Sequence, residues 1–213
     1  MAIHPAPSPA AASPGDPAGD ALIERAADAL RANNIEVLVV DTADEAREAV
    51  LARVPAGSEV HSAKSMTIEE IGVFAALHAP GAYDAIRPKL LAMDRATQGR
   101  EMRKLGAVPD TIVGSVNAIT ADGALVAASA TGNQLAAYAG GAGRVILVVG
   151  SQKLVPDLDA AFARIREVVF PYENARVNAT MGVDTKLEKV LVIFGEWLAG
   201  RTTVVIVREP VGV

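Results

Sequence analysis

The sequence of 213 residues contains no cysteine. It therefore offers no thiol for a disulfide, for a thiolate nucleophile, or for the ligation of zinc or an iron–sulfur cluster. Cysteine-dependent catalysis and cysteine-ligated metal sites are thereby excluded from what this sequence can do with its own side chains.

Long hydrophobic runs are also missing. The longest apolar stretches, such as residues 144–150 and 190–194, are far shorter than the roughly 20 residues that span a bilayer. The first residues, MAIHPAPSPAAASPGDPAGD, lack the basic region and the continuous apolar core of a secretory signal. We therefore expect no membrane association, a cytoplasmic location and a disordered Pro/Ala-rich tail over residues 1–18.

Basic charge is scarce as well. The formal net charge is −5 and the pI is near 5.3, and no basic stripe with interleaved aromatic residues is present, which argues against a nucleic-acid partner. About half of the residues are apolar, 51%, and 21% are charged, a balance typical of a folded globular protein. The length and composition predict one domain over residues 19–213.

Helical and extended patterns alternate along this domain. An apolar stripe from Leu22 to Leu30 predicts a helix, and residues 35–40 form a β-branched run that predicts a strand. Two capping boxes, Thr42 with Glu45 and Thr67 with Glu70, predict the starts of two further helices, the second with Ile71, Phe74 and Leu77 buried. Strands alternating with helices indicate an α/β fold with a mainly parallel sheet and helices on both faces.

A β-hairpin is predicted near the middle of the chain. Residues 118–120 and 124–127 flank the pair Asp122-Gly123, and an Asp-Gly pair is typical of a type I′ turn because both central residues need a positive φ. Asp122 is then mainly a turn residue. Buried strands are also expected at residues 111–115 and 144–149, and two final strands, 190–194 and 203–207, are expected to close the chain.

Three polar loops follow predicted strands, where ligands bind in open α/β sheets. The candidate ligand-binding residues in these loops are Lys64, Ser65, Thr67, Asn117, Thr131, Gly132 and Asn133. Their cation, hydroxyls, amides and helix N-termini suit a small anion such as a carboxylate or phosphate. Structural alternatives stay open for most of them: Thr67 as a helix cap, Lys64 as a solvated side chain, Asn117 as a satisfied strand-end amide, and Thr131 and Asn133 as caps.

Candidate acid/base residues near these loops are Glu70 and Asp122. The three histidines, His4, His61 and His78, do not have a metal-ligand spacing, so no metal site is expected. No phosphate-binding glycine loop and no nucleophile-elbow motif is present.

Four segments, in this order and spacing, resemble the lactate-utilisation (LUD) domain family, of the lactate-utilisation protein C type. They are KSMTIEEIG from Lys64, GSVNAITADGALV from Gly114, TGNQLAAYA from Thr131 and VILVVGSQKLVPDLDAAFARI from Val145. The resemblance covers roughly residues 20 to 208. It implies a Rossmann-like sheet with an inserted hairpin, as in the sugar-phosphate isomerase and coenzyme A transferase superfamily.

The resemblance also implies a setting, because members of the family take part in oxidising lactate to pyruvate beside iron–sulfur partner proteins. Similar short members often carry a cysteine-rich segment before the last strand, and the matching stretch in this chain, about residues 172–189, has none. We therefore expect no cofactor of its own, and an accessory or small-acid-binding component of lactate utilisation. The alternatives are a stand-alone enzyme or a sensor for a small phosphorylated sugar or acyl thioester. The substrate, the catalytic status and any homo-oligomer stay open.

Overall fold

A computed structural model describes residues 17–63 and 65–213. Residues 1–16 of the predicted tail and the candidate ligand-binding residue Lys64 lie outside the described residues. The first helix already begins at Pro17, slightly before the predicted domain boundary.

The helices are α1 Pro17–Ala32, α2 Ala43–Leu51, α3 Met66–Glu70, α4 Val73–Leu77, α5 Ile86–Ala92, α6 Arg95–Ala107, α7 Leu158–Arg164 and α8 Phe170–Met181. A π-helical turn, Ile165–Val169, connects α7 to α8, and another covers Ala137–Gly141. None of the helices in residues 17–63 and 65–213 is long and apolar enough to cross a membrane.

The strands are β1 Glu36–Val40, β2 Glu59–Ser62, β3 Asp84–Ala85, β4 Thr111–Gly114, β5 Ala118–Thr120, β6 Leu125–Ser129, β7 Arg144–Gly150, β8 Leu154–Val155, β9 Lys189–Ile193 and β10 Thr202–Val207. Six of them form a sheet in the order β1-β10-β7-β4-β2-β3, and every neighbouring pair in it is parallel. The predicted α/β fold with a mainly parallel sheet is confirmed.

The central strand β7 is apolar along its length because both of its faces are buried. Val145, Leu147 and Val149 pack on one face with α1 and the Ala137–Gly141 turn, whereas Ile146 and Val148 pack on the other with α2, α3 and α4. Side chains alternate across a strand, so a strand covered on both sides needs aliphatic residues at every position. This explains the uninterrupted run that the sequence shows there.

The predicted hairpin exists, but it belongs to a second sheet of order β8-β5-β6-β9. Strands β5 and β6 pair antiparallel, as do β6 and β9. Strand β9, which the sequence predicts only as one of two closing strands, therefore completes this smaller sheet. The α8 helix, over a stretch that carries no predicted helix, precedes it.

The predicted turn type of the hairpin is wrong. Gly123 has φ +85°, but Asp122 does not have a positive φ, which a type I′ turn requires at both central residues. Instead Gly123 N–H donates to Thr120 O at 2.9 Å and Thr120 N–H donates to Ala124 O at 3.0 Å. This pattern fits a three-residue loop with its final glycine in the left-handed region. The Thr120 hydroxyl donates to the Asp122 carboxylate, so the exposed Asp122 side chain stabilises the turn through this hydrogen bond.

One of the two predicted capping boxes is confirmed. Thr42 accepts from Glu45 N–H and the Glu45 side chain returns to the cap backbone. The second is wrong: α3 is capped at Ser65, without a side-chain hydrogen bond, and Thr67 lies inside the helix with its side chain buried. Gly72, with φ +73°, then separates α3 from α4, so the single predicted helix is two short ones.

Candidate functional site

The carboxyl ends of β10, β7, β4 and β2 lie side by side in the larger sheet. In a parallel α/β sheet this edge is where ligands bind, because the loops that leave it are not needed to cover the core. In this protein the loops bring Thr67 of α3, Ser115 after β4 and Lys153 after β7 into contact. We call these three residues the lysine cluster.

Lys153 is the centre of the lysine cluster. Its side chain is buried, with the residue 2% exposed. Its Nζ donates to Thr67 Oγ1 at 2.7 Å and to Ser115 Oγ at 3.1 Å. Among the described residues these neutral hydroxyls are its hydrogen-bond partners, and no carboxylate pairs with it. A buried ammonium without an ion pair is costly and is therefore uncommon in a purely structural role.

Burial lowers the pKa of Lys153 from its usual 10.5 to about 7. Loss of hydration disfavours the charged form, and the nearby Arg164 guanidinium acts in the same direction, while Glu70 opposes it. The amine thus exists in both protonation states near neutral pH. Strongly shifted side chains of this kind concentrate at functional sites.

A second buried cation lies beside the lysine cluster. Arg164, at the end of α7, is 6% exposed and donates from Nε to the main-chain oxygen of Asn117 at 2.9 Å. Burial lowers the pKa of Arg164 to about 10, so it remains cationic at neutral pH. Two positive groups in one dry region create a local field that favours an anion.

The last residues of the described chain cover the lysine cluster. Gln152 Nε2 donates to Val211 O and to Gly212 O, both at 3.0 Å, and Gly212 N–H donates to Glu70 Oε2 at 2.8 Å. A Cβ on Gly212 would overlap Thr67 Oγ1 and lie 2.9 Å from Thr67 N. Residues 211–213, which we call the C-terminal segment, therefore lie directly on Thr67.

Gly114 allows Tyr138 to pack closely against the end of β4, next to Ser115 of the lysine cluster. A Cβ on Gly114, at the end of β4, would overlap the Tyr138 hydroxyl and lie 3.0 Å from Ala63 Cβ. That hydroxyl donates to Ser115 O at 3.3 Å, and burial raises the pKa of Tyr138. Tyr138 is thus a neutral donor that fixes the backbone of Ser115.

The structure brings some of the predicted site residues together. Thr67 is in the lysine cluster, and Ser65 caps α3 and is half-buried. The main-chain oxygen of Asn117 accepts from Arg164, whose charge acts on Lys153. Asn117 also accepts from Ala128 N–H through Oδ1 at 2.6 Å, which ties the end of β6 to the site.

Other predicted site residues make no hydrogen bond with the lysine cluster in the part of the chain that the structure describes. Thr131, Gly132 and Asn133 follow β6 of the smaller sheet. Gly132 N–H donates to Ser129 Oγ at 2.9 Å, and Lys189 Nζ donates to Ala130 O at 3.2 Å. No continuous α-helix begins at Asn133; the π-helical turn at 137–141 follows instead. Their role in ligand binding stays a prediction.

Glu70 and Asp122, the candidate acid/base residues, are both exposed. Glu70 accepts from Gly212 N–H and so anchors the C-terminal segment. Asp122 accepts from the Thr120 hydroxyl within the hairpin turn. Neither carboxylate hydrogen-bonds to Lys153 in the described residues.

His61 is buried on β2, and its Nδ1 lacks a hydrogen-bond partner among the described atoms. Burial, helped by Arg87 and His78, lowers the pKa of His61 to about 4. It is therefore neutral at physiological pH. No group of three or more His, Asp or Glu residues suited to a metal ion occurs in residues 17–63 and 65–213.

Lys153, Ser115 and Arg164 are site residues that the sequence reasoning missed. A signal for Lys153 was available, because it stands between the buried strand 144–150 and the apolar pair 154–155, where a charged residue is unexpected. Arg164 likewise lies between Ala161 and Ile165 on the inward face of its helix. Ser115 carried no comparable signal, since its contact with Thr67 depends on strand order.

A surface cavity of about 520 Å³ lies at the opposite edge of the larger sheet, beside the starts of β1, β7 and β10. Its charged side chains already have partners: Arg53 pairs with Glu36 at 2.9 Å, and Arg144 donates to Arg53 O at 2.8 Å. Thr203 donates to Glu36 at 3.0 Å. This cavity offers no unsatisfied chemistry, so the lysine cluster is the stronger candidate despite being covered.

Comparisons with known proteins agree with this architecture. No curated protein matches the sequence. A crystal structure of a DUF162 family protein from Deinococcus radiodurans superposes with a TM-score of 0.53 at 13% sequence identity, over 89% of this chain and 97% of the other. At that identity the likeness shows the fold alone. The family model of the LUD domain matches residues 23–207, and the chain therefore belongs to the LUD domain family, a family related to lactate utilisation.

Proposed function

We propose that this protein binds a small carboxylic acid of lactate metabolism, lactate or pyruvate, at the lysine cluster, as an accessory component of lactate oxidation. The observation that carries the proposal is the buried Lys153 ammonium on two hydroxyls at the carboxyl edge of the sheet. The family supplies the metabolic setting, and the site supplies the chemistry.

The chemistry of the site suits a 2-hydroxy or 2-oxo acid. Lys153 and Arg164 provide two positive charges for one carboxylate, and the hydroxyls of Thr67 and Ser115 are donors or acceptors for the neighbouring hydroxyl or carbonyl oxygen. A charge-assisted hydrogen bond in a dry site contributes about 1.5–3 kcal/mol. A ligand with only three carbon atoms needs such bonds because it buries little apolar surface.

Binding requires movement of the C-terminal segment, since this segment lies on Thr67. The segment is held by Gln152 and by the exposed Glu70, and hydrogen bonds at the surface open at low cost. We propose that the acid displaces Gly212 from Thr67 and is then shielded from water by the same residues.

The electron-transfer step of lactate oxidation is assigned to partner proteins in this proposal. This sequence has no cysteine with which to ligate an iron–sulfur cluster. An accessory role beside iron–sulfur partners is consistent with a chain that supplies an acid-binding site.

The proposal is tested by isothermal titration calorimetry of the full chain with L-lactate, pyruvate and, as an uncharged analogue, lactamide. Lactate or pyruvate should bind and lactamide should not. Lys153→Met should weaken binding roughly 10- to 100-fold, because one charge-assisted bond is lost. Lys104→Met, at an exposed position of α6, is the matched control and should bind like the parent.

A panel of sugar phosphates and coenzyme A, measured by thermal shift, completes the test. A midpoint raised by one of these, together with no response to lactate or pyruvate, would overturn the proposal in favour of a stand-alone enzyme or sensor. Unchanged affinity in Lys153→Met would show that the acid binds elsewhere.

A further inference from the structure

We propose that Lys153 Nζ is a nucleophile that forms an imine with the carbonyl carbon of a 2-oxo acid, while Arg164 binds the carboxylate of the same molecule. The inference rests on the proposed function, because it uses the same site and the same class of ligand. It goes further in assigning a covalent step and in separating the roles of the two cations.

The direction of the hydrogen bonds around Lys153 carries the argument. Ser115 uses its single hydroxyl proton to donate to Val116 O at 3.1 Å. In the contact between Ser115 Oγ and Thr67 Oγ1, 3.3 Å, the proton must therefore come from Thr67. Both hydroxyl oxygens then accept from Lys153 Nζ, at 3.1 Å and 2.7 Å.

This pattern uses two N–H bonds of Lys153 and leaves the remaining position on nitrogen unassigned among the described residues. In the neutral amine that remaining position is the lone pair. The two hydroxyls therefore orient the amine so that its lone pair points away from them, as a nucleophile requires.

The environment maintains a reactive fraction of neutral amine. No carboxylate pairs with Lys153 in the described residues, and the neighbouring Arg164 guanidinium disfavours a second charge. A pKa of about 7 for Lys153 means that roughly half of the amine is neutral at physiological pH. An exposed lysine, with a pKa about three units higher, would be neutral in only about one molecule in a thousand.

The reaction balances without any oxidant or reductant. The nitrogen lone pair of Lys153 forms a bond to the carbonyl carbon, and the carbonyl oxygen takes a proton to give a carbinolamine. The carbon–oxygen bond then breaks, and the oxygen leaves as water with the two protons that the amine has lost. The products are one imine and one water. The Thr67 hydroxyl, 2.7 Å from Nζ, can relay one of the two protons: it accepts the proton from the nitrogen and releases its own to the departing oxygen after turning from Ser115.

Lactate cannot undergo this step because it has no carbonyl carbon next to its carboxylate. The proposal thus distinguishes the two acids at one site: lactate binds reversibly, whereas pyruvate binds and also reacts. It also predicts that both cations contribute to the affinity for either acid and that Lys153 alone governs the covalent step.

The test is reductive trapping in the full chain. The protein is incubated with pyruvate and sodium cyanoborohydride, digested, and its lysine-containing peptides are mapped by mass spectrometry. The expected result is a reduced pyruvate adduct on Lys153, at least tenfold more occupied than on the exposed Lys104 and Lys89. Excess lactate should suppress the adduct on Lys153 and leave surface adducts unchanged.

Lys153→Arg is the informative variant, because it keeps the positive charge and lacks the nucleophile. It should show no adduct at position 153, whereas Lys104→Arg, at an exposed position of α6, should keep the adduct on Lys153. Because mapping in the parent chain is decisive by itself, the test does not depend on this variant folding.

Two outcomes would overturn the imine proposal: no adduct on Lys153 when pyruvate binds, or adducts spread evenly over the surface lysines. Either leaves the proposed acid-binding function intact if lactate still binds. Absence of binding by both acids in calorimetry would instead overturn the proposed function itself, so the two failures are distinguishable.

Discussion

Lys153 Nζ lies 2.7 Å from Thr67 Oγ1, although the two residues are 86 positions apart in the sequence. The contact exists because β2 and β7 flank β4 in the larger sheet, so that the loops after β2 and β7 meet above its end. Thr67 is buried, and its hydroxyl is one of the two hydrogen-bond acceptors that replace water around the Lys153 amine. The stability and the reactivity of the site therefore depend on the same hydroxyl.

Replacing Thr67 with Val should destabilise the protein, because the shape is kept while the buried amine loses an acceptor. The expected cost is about 1–3 kcal/mol, the usual penalty for a buried polar group left with fewer partners. Urea denaturation measures it. Thr67→Ser, which keeps the hydroxyl, should be closer to the parent; equal loss in both variants would assign the effect to packing of the methyl group.

The free energy of unfolding should rise with pH between about 7 and 10 through Lys153. Its pKa is lowered from 10.5 in the unfolded chain to about 7 in the folded one, so the unfolded state binds more protons across this window. The destabilisation due to the buried charge is fully present below pH 7 and is relieved as the amine loses its proton in the folded state.

Chemical denaturation at several pH values measures this slope. Lys153→Met should flatten the slope over the same window, whereas Lys104→Met should keep it. A slope unchanged in Lys153→Met would show that another group is responsible.

Gly212→Ala should lift the C-terminal segment from Thr67. Gly212 has φ +73°, and an added Cβ would overlap the Thr67 hydroxyl. Gly200→Ala is the matched control, since Gly200 has φ +82° with nothing within 4 Å and so suffers only the backbone strain. Hydrogen exchange at residues 211–213 should accelerate in Gly212→Ala and not in Gly200→Ala; equal exchange in both would refute the close contact.

Gly123→Ala should be more destabilising than Gly57→Ala. Both glycines have a positive φ, +85° and +73°, but a Cβ on Gly123 would lie 2.9 Å from Ala29 C and Leu30 N, whereas Gly57 has nothing within 4 Å. The difference in unfolding free energy should exceed about 1 kcal/mol, because backbone atoms of α1 cannot yield easily. Asp122→Asn, in the same turn, should be tolerated, and a loss of acid binding in that variant would give Asp122 a functional role.

The fluorescence of Trp197 should report on the edge of the larger sheet that lies opposite the lysine cluster. Trp197 is the single tryptophan of the sequence and is 95% exposed, on the connection that leads into the amino end of β10. Its fluorescence should be quenched by acrylamide almost as efficiently as that of free indole. Because the lysine cluster is at the other end of β10, lactate should leave the emission unchanged; a shift on binding would reveal coupling between the two ends.

The sequence by itself determined the class of fold. Alternating helical and extended patterns predicted the parallel sheet, since hydrophobic periodicity and capping chemistry act over a few residues. The apolar run of β7 predicted a buried strand, and Asp122-Gly123 predicted a hairpin. The four family-like segments predicted the LUD domain, which the family match confirms.

Only the tertiary structure decided the partition into two sheets and the composition of the lysine cluster. Thr67 was predicted as a cap because Thr and Glu three residues apart have that local geometry; the packing of α3 instead turned its hydroxyl inward. In the sequence Lys153 stands out only as a charged residue between two apolar stretches, and the order of β7, β4 and β2 decides that it meets Ser115 and Thr67. Hydrophobic periodicity and capping predict single helices and strands. The order of the strands in the sheet decides which distant loops meet, and burial then sets the pKa of the side chains in those loops.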